Sequence, residues 1–216
     1  MKKILSILLS CFVFFVGCLP REIHLAKKCQ KSTVLIHVKV LKNDKKMWGT
    51  CSGVYVNPKV ILTANHCIDS SDGAEILEIW VRNFDNKSMK AEVIKKDFAR
   101  DLALLKTDLR GIPVKLARNV RVGEDVWIIG NPLGLEFVVS KGIVSNVDLS
   151  MKQYPINHFI TTAIVLPGSS GGPTFNAKGQ LVGIEVMSTS MVGSLGASGL
   201  GIVVQIDEVR NFLRMK

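Results

Sequence analysis

The sequence predicts an all-β fold of the barrel or sandwich kind. Three observations lead there: about a dozen short runs rich in β-branched and apolar residues, turn signals between them, and helical periodicity only at the end of the chain. In order, the runs are 33–40, 53–56, 60–63, 76–81, 91–95, 102–106, 126–129, 137–147, 159–162, 181–186 and 201–204. Asn43-Asp44 and Asn57-Pro58 mark two of the turns. Residues 107–121 carry Gly111, Pro113 and little alternation, and read as a linker between two halves. At 207–216, Asp207 is placed to cap a short helix whose apolar face holds Val209, Phe212 and Leu213.

The length of 216 residues fits one ordinary domain or two small barrels sharing a cleft. With 47% hydrophobic and 21% charged residues, the composition argues against wholesale disorder. The formal net charge is +10, which can draw a protein to nucleic acid or anionic membrane. The basic residues are scattered, however, and clustered only briefly at Lys27-Lys28, 42–46 and Lys95-Lys96. No basic region interleaves with aromatics and no nucleic-acid motif appears, so no nucleic-acid partner is expected.

The N-terminus reads as an export signal. Lys2 and Lys3 precede an apolar stretch from Ile4 to Val16, broken only by Ser6, Ser10 and Cys11. The stretch is short for a membrane span, which needs about 20 apolar residues. It ends in Phe15-Val16-Gly17-Cys18, similar to a bacterial lipobox with Phe15 where Leu is usual. Two outcomes stay open: lipidation of Cys18, attaching the protein to a membrane, or ordinary cleavage nearby. Residues 1–18 are thus the leader and 19–31 a polar tether. An exported setting permits disulfides, and Cys29, Cys51 and Cys67 remain beyond the leader.

Three local patterns carry chemistry. In Val60-Ile61-Leu62-Thr63-Ala64-Asn65-His66-Cys67, a β-run delivers His66 at its end, a rigid place for a general base. Taken alone, such a histidine is usually an ordinary core or surface residue. In Arg100-Asp101-Leu102-Ala103-Leu104-Leu105, Asp101 precedes an apolar run, where a half-buried carboxylate can fix a histidine tautomer; a turn or cap role is the plain alternative. In Pro167-Gly168-Ser169-Ser170-Gly171-Gly172-Pro173, the glycines let the backbone turn tightly and aim successive N–H groups into one cavity. A bare glycine-serine loop would be a flexible linker, but the apolar flanks and the proline on each side favour a fixed turn.

Together and in order, these segments resemble the trypsin-like serine peptidases, most closely the HtrA/Deg branch. The similar stretches run from about Gly49 to Asp207 and include Arg121-Val122-Gly123-Glu124, Ile129-Gly130-Asn131-Pro132-Leu133-Gly134-Leu135, Ser140-Lys141-Gly142-Ile143-Val144-Ser145, Gly179-Gln180-Leu181-Val182-Gly183-Ile184 and Gly201-Ile202-Val203-Val204. The resemblance implies two six-stranded antiparallel β-barrels, at 32–114 and 115–206, with the active site between them and a short helix at 207–216. It implies Ser170 as nucleophile, His66 as general base and acid, Asp101 as the orienting carboxylate, and an oxyanion hole at the Gly168–Ser169–Ser170 turn. Gly168 and Ser170 supply its N–H groups, and Ser169 is the variable residue of the Gly-x-Ser-Gly-Gly frame. It implies protein or peptide substrates and no cofactor or metal. Cys51 and Cys67 match the disulfide that braces the histidine loop of digestive-type trypsins; two buried free thiols are the alternative. Cys29 has no obvious partner.

Departures from the family pattern shape the specificity expected. Leu166 stands where HtrA proteins have Asn, and Val186 where trypsin-like enzymes have Ser or Thr. The second change leaves Asp101 one hydrogen-bonding partner fewer. No acidic residue lies in 161–166, and Val165, Leu166, Val186, Met187 and residues near Ser198 to Gly201 suggest a pocket for a modest apolar side chain. The expected activity is therefore endopeptidase cleavage after small-to-medium apolar residues. No PDZ domain fits after the terminal helix, so a stand-alone protease is expected. A protease-fold protein that only binds peptides or partners at the cell envelope is the competing reading.

Overall fold

A computed structural model describes residues 21–69, 73–151, 154–188 and 200–215. The leader with Cys18, and Ser198 of the expected pocket, lie outside them. The described chain is mostly strand: β1 (Thr33–Lys42), β2 (Lys45–Asn57), β3 (Val60–Ala64), β4 (Glu75–Asn83), β5 (Ser88–Asp97), β6 (Leu102–Thr107), β7 (Lys115–Leu116), β8 (Asp125–Gly130), β9 (Val138–Met151), β10 (Tyr154–Thr161), β11 (Pro173–Asn176), β12 (Gln180–Ser188) and β13 (Gly201–Gln205). Two helices, α1 (Arg21–Gln30) and α2 (Ile206–Arg214), flank them.

Strands β1 to β6 close a six-stranded antiparallel barrel in the order β1-β2-β3-β6-β5-β4. The second sheet runs β11-β8-β9-β10-β13-β12, and β11 pairing with β12 closes it; the two-residue β7 adds parallel to β12. The chain therefore has the chymotrypsin-like fold. Each barrel fills with the inward residues of its alternating strands: Val34, Ile36, Val38, Tyr55, Ile61, Val81, Ala103 and Leu105 in the first, and Val126, Val144, Phe159, Val182 and Val203 in the second. A larger apolar cluster joins the outer faces where the barrels meet, with Val54, Leu62, Ala64 and Leu102 against Ile129, Phe175, Ile184 and Val186. Burying each such side chain contributes about 1.5–3 kcal/mol, so the cleft edges are held by core, not by loops.

Several strands run longer than their apolar runs. The β1–β2 hairpin continues to Lys42 opposite Lys45 because Asn43 and Asp44 both take positive φ, 48° and 59°, which suits a two-residue turn of the primed kind. Lys45, Lys46 and Gly49 pair through their backbones alone and give no hydrophobic signal. The expected linker is packed: Gly111 donates to Pro58 O, Val114 donates to Tyr55 O, and a Cβ at Gly111 would lie 2.0 Å from the Tyr55 ring.

Two expectations need correction. Residues 19–31 are not a tether, because 21–30 form α1, docked by Leu25 and Cys29. Only those two residues, one turn apart, face the core, so the polar composition concealed the helix. Glu22 in its first turn and Lys27 and Lys28 in its last suit the helix dipole. Asp207 does not cap α2: Gln205 holds that position without a side-chain cap bond, and Asp207 in the first turn pairs with Arg210. Val209 and Phe212 are fully buried as expected.

Candidate active site

His66 sits in the 3₁₀ turn Asn65–Ile68 that follows β3. The turn enters the cleft rigidly because Cys67 is disulfide-bonded to Cys51 on β2, with Cα atoms 6.1 Å apart. Asp101, one residue before β6, has φ +51°, which Asp tolerates better than most residues. Its backbone oxygen accepts from Asn65 N–H at 3.0 Å. Its carboxylate takes two bonds from one residue: His66 N–H donates to Oδ1 at 2.8 Å, and His66 Nδ1 lies 2.6 Å from Oδ2. An ionised carboxylate only accepts, so the ring proton belongs on Nδ1, and Nε2 is left unprotonated in the neutral ring. The carboxylate is mostly shielded, with the His66 side chain 46% exposed against 13% for Asp101. Among the described residues His66 supplies every hydrogen bond the carboxylate accepts.

Arg100, the neighbour of Asp101, reaches across to the second barrel. Its guanidinium pairs with Asp97 at 2.8 Å and with Glu208 of α2 at 3.0 Å. The terminal helix of one barrel thus steadies the turn that presents Asp101 from the other. These three groups are largely buried, where paired charges resist screening.

On the opposite rim, the loop from Pro167 to Pro173 is shaped by its glycines. Gly168 and Gly171 have φ +98° and +80°. A Cβ at Gly171 would lie 2.2 Å from Thr63 Oγ1, and one at Gly168 2.5 Å from Asn131 O, so no other residue fits either place without a backbone shift. Ser52 N–H donates to Ser170 O at 2.8 Å, Gly171 N–H to Glu185 O at 2.8 Å, and Glu185 N–H to Gly172 O at 2.9 Å. The Ser170 carbonyl also lies 3.5 Å from Cys67 Sγ, next to His66. The fold thus brings His66, Asp101 and Ser170 to one cleft.

The amides of the loop are not equivalent. Ser169 N–H donates to Leu166 O at 2.9 Å, and the Ser169 side chain is buried with its hydroxyl over the Leu166 amide. Its place in the expected oxyanion hole is corrected accordingly. Neither Gly168 N–H nor Ser170 N–H has an acceptor among the described residues. Two free amides flank a half-buried Ser170, an arrangement suited to holding an oxyanion.

The expected pocket residues separate. Val165 is buried with Ile128 and Ala163, and Gly201 approaches it closely enough that a Cβ there would lie 2.8 Å from Val165. Leu166 is exposed and Met187 half-buried. Val186 instead faces the apolar cluster between the barrels. Three residues that sequence reasoning did not single out support the cleft. Ser52 Oγ donates to Gly168 O at 2.8 Å and accepts from Asn131 N–H at 2.9 Å. The Asn131 amide side chain donates to Val34 O at 3.2 Å, tying the two barrels. Glu185, beside Val186, points into the second barrel; it is wholly buried, and neither carboxylate oxygen accepts a hydrogen bond of good geometry among the described residues, the Met187 backbone amide lying near enough only for a weak contact. Burial, and the Asp101 charge nearby, push it up to about 8, which the Met187 amide offsets only in part. Its signal was a charged residue inside the apolar run 181–186.

Comparison with known proteins places this geometry. Residues 51–184 match the model of a trypsin-like peptidase domain. A probable periplasmic serine endoprotease DegP-like of Pseudomonas savastanoi pv. phaseolicola is 40% identical over 161 residues, 72% of this chain and 32% of that protein. A protein of the same name from Hahella chejuensis is 38% identical over 171 residues, 77% of this chain and 35% of its own length. One from Halomonas elongata is 34% identical over 151 residues, 68% and 30% respectively. The chain spans about a third of the length of these curated relatives.

Proposed function

Because this chain belongs to the trypsin-like peptidase domain family, we propose that it is an exported serine endopeptidase acting through His66, Asp101 and Ser170. The observation that carries the reading is the paired hydrogen bonding of His66 to Asp101 across a cleft from the two free amides at Gly168 and Ser170. Ser170 Oγ attacks a peptide carbonyl carbon while its proton passes to His66 Nε2. The amides of Gly168 and Ser170 hold the resulting oxyanion. The imidazolium, stabilised by Asp101, gives its proton to the departing amine, leaving an acyl group on Ser170. Water then attacks this ester as His66 takes the water's proton, and the collapse releases a carboxylic acid while His66 returns that proton to Ser170 Oγ.

The substrates on this reading are proteins of the cell envelope or periplasm, in keeping with relatives named as periplasmic endoproteases. Val165 and Gly201, with Leu166 and Met187 at the mouth, favour cleavage after a small-to-medium apolar side chain. Val186 offers Asp101 no hydrogen bond, so among the described residues His66 alone bonds the carboxylate.

The test is labelling by a fluorophosphonate, together with cleavage of an unfolded protein. Wild type and Ser169→Ala label and cleave, whereas Ser170→Ala does neither. Absence of Ser170-dependent labelling and of cleavage would sink the proposal. A peptide library cut mainly after Lys or Arg would overturn the pocket assignment alone.

A further inference from the structure

The α1 helix presents a basic face that neither the core nor the cleft uses. Leu25 and Cys29 point inward, while His24, Lys27, Lys28 and Lys31 stay exposed. His24, Lys27, Lys28 and Lys31 line one surface cavity with Phe84. Lys28 borders a second, which Lys115, Lys178 and Ile112 complete from the second barrel and its approach. Five lysines, at 27, 28, 31, 115 and 178, thus line two cavities that adjoin at Lys28. None of them is in an ion pair among the described residues. The face is not purely polar, since Ile23 at 42%, Phe84 at 37% and Ile112 at 52% exposure stand among the lysines. His66, Asp101 and Ser170 line neither cavity.

Unpaired lysines interspersed with exposed aliphatic and aromatic groups match the chemistry of a bilayer interface, where ammonium groups meet lipid phosphates and apolar groups enter the acyl boundary. An acidic protein would complement the charge but not Ile23 and Ile112. The chain order adds a second argument. Only two residues separate Cys18, at the end of the apolar leader, from Arg21 of α1, and three residue steps reach at most about 10 Å. Attachment of the leader at Cys18 to a bilayer holds the start of α1 within about a Debye length of its surface. No helix among the described residues is long and apolar enough to cross a membrane.

We propose that the α1 face formed by Lys27, Lys28, Lys31, Lys115 and Lys178, with Ile23, Phe84 and Ile112, docks on an anionic phospholipid bilayer and leaves the cleft open to solvent. The docking stands independently of the proposed protease activity. Each lysine near an anionic surface strengthens partitioning about fivefold, so five cooperate where one acyl chain alone holds weakly.

The test is flotation of the full chain with vesicles of phosphatidylcholine alone or with 30% phosphatidylglycerol (about one anionic lipid in three), at low and high salt. Charge reversal at Lys27, Lys28 and Lys31 is compared with reversal at Lys45 and Lys46 on the β1–β2 hairpin. The leader, with Lys2 and Lys3, is common to every variant, so the readout is the ratio between the two mixtures and its change on substitution. The expected result is a ratio of about a hundredfold or more at low salt for wild type and the hairpin variant. Salt collapses it towards one, and the α1 reversals lower it by about a hundredfold. Retention of heat-melting behaviour shows that the α1 variant is folded; if it is not, single Lys27→Gln and Lys31→Gln variants replace it, each lowering the ratio severalfold. A ratio near one for wild type, or equal loss from the hairpin variant, overturns the proposal. So does binding to a DNA duplex or polyglutamate with equal strength and the same lysine dependence.

Discussion

On the histidine rim, a covalent bond between Cys51 and Cys67 and a two-point grip by Asp101 hold the His66 side chain. On the serine rim there is no covalent brace. Ser170 is positioned by two glycines at positive φ and by backbone bonds to Ser52 and Glu185. The first rim is fixed through side chains, and substitution there loosens it one interaction at a time. The second is fixed by backbone shape, which depends on what packs beneath the loop. Ser52 belongs to both, since it neighbours Cys51 in sequence and bonds Gly168 and Ser170 through space.

The contrast sharpens most at Glu185. Its carboxyl, at about 8, lies above the ordinary 4.5. The folded protein therefore keeps a proton that the unfolded chain releases as pH rises through that window. Stability contributed by the protonated group is complete below about 4.5 and is lost progressively up to about 8, by on the order of 5 kcal/mol. Glu185→Gln should abolish that loss, so urea denaturation at pH 5, 7 and 9 should show the variant gaining on wild type at each step. Parallel curves would remove Glu185 as the weak point of the serine rim.

The histidine rim breaks differently. Replacing Cys51 and Cys67 by Ala opens a loop of sequence separation 16, which should cost about 3 kcal/mol. The fall in stability should be insensitive to pH between 5 and 9. A variant as stable as wild type would show that Asp101 and the core suffice to hold the turn.

The smallest expected effect lies where the rims meet. Ser52→Ala removes the hydroxyl that donates to Gly168 O and accepts from Asn131 N–H, a loss of about 1–3 kcal/mol with Asn131 left short of a partner. Fluorophosphonate labelling of Ser170 should slow by more than global unfolding accounts for. Unchanged labelling in a folded variant would mean that the glycines alone shape the loop.

Much of this molecule was legible in one dimension. Apolar and β-branched runs bounded by turn signals marked most strands because the strands pack against the barrel cores. Glycines around Ser170 were readable because only glycine tolerates those backbone angles, and the order of the His66, Asp101 and Ser170 segments pointed to a single cleft. What escaped had no local pattern to betray it. Helix α1 buries only Leu25 and Cys29, and β2 extends beyond its apolar part because a turn and a partner strand continue it.

The sequence by itself thus determined an all-β chain of the barrel or sandwich kind and, through motifs resembling a known family, nominated two barrels and the residues of the cleft, since strand runs and backbone permissiveness are local properties. Tertiary structure alone decided which amides of the serine loop stay free, that Val186 turns to the core between the barrels, and that Glu185 is sealed inside the second one. Those outcomes depend on burial and on partners distant in the chain, and neither is encoded at any single position.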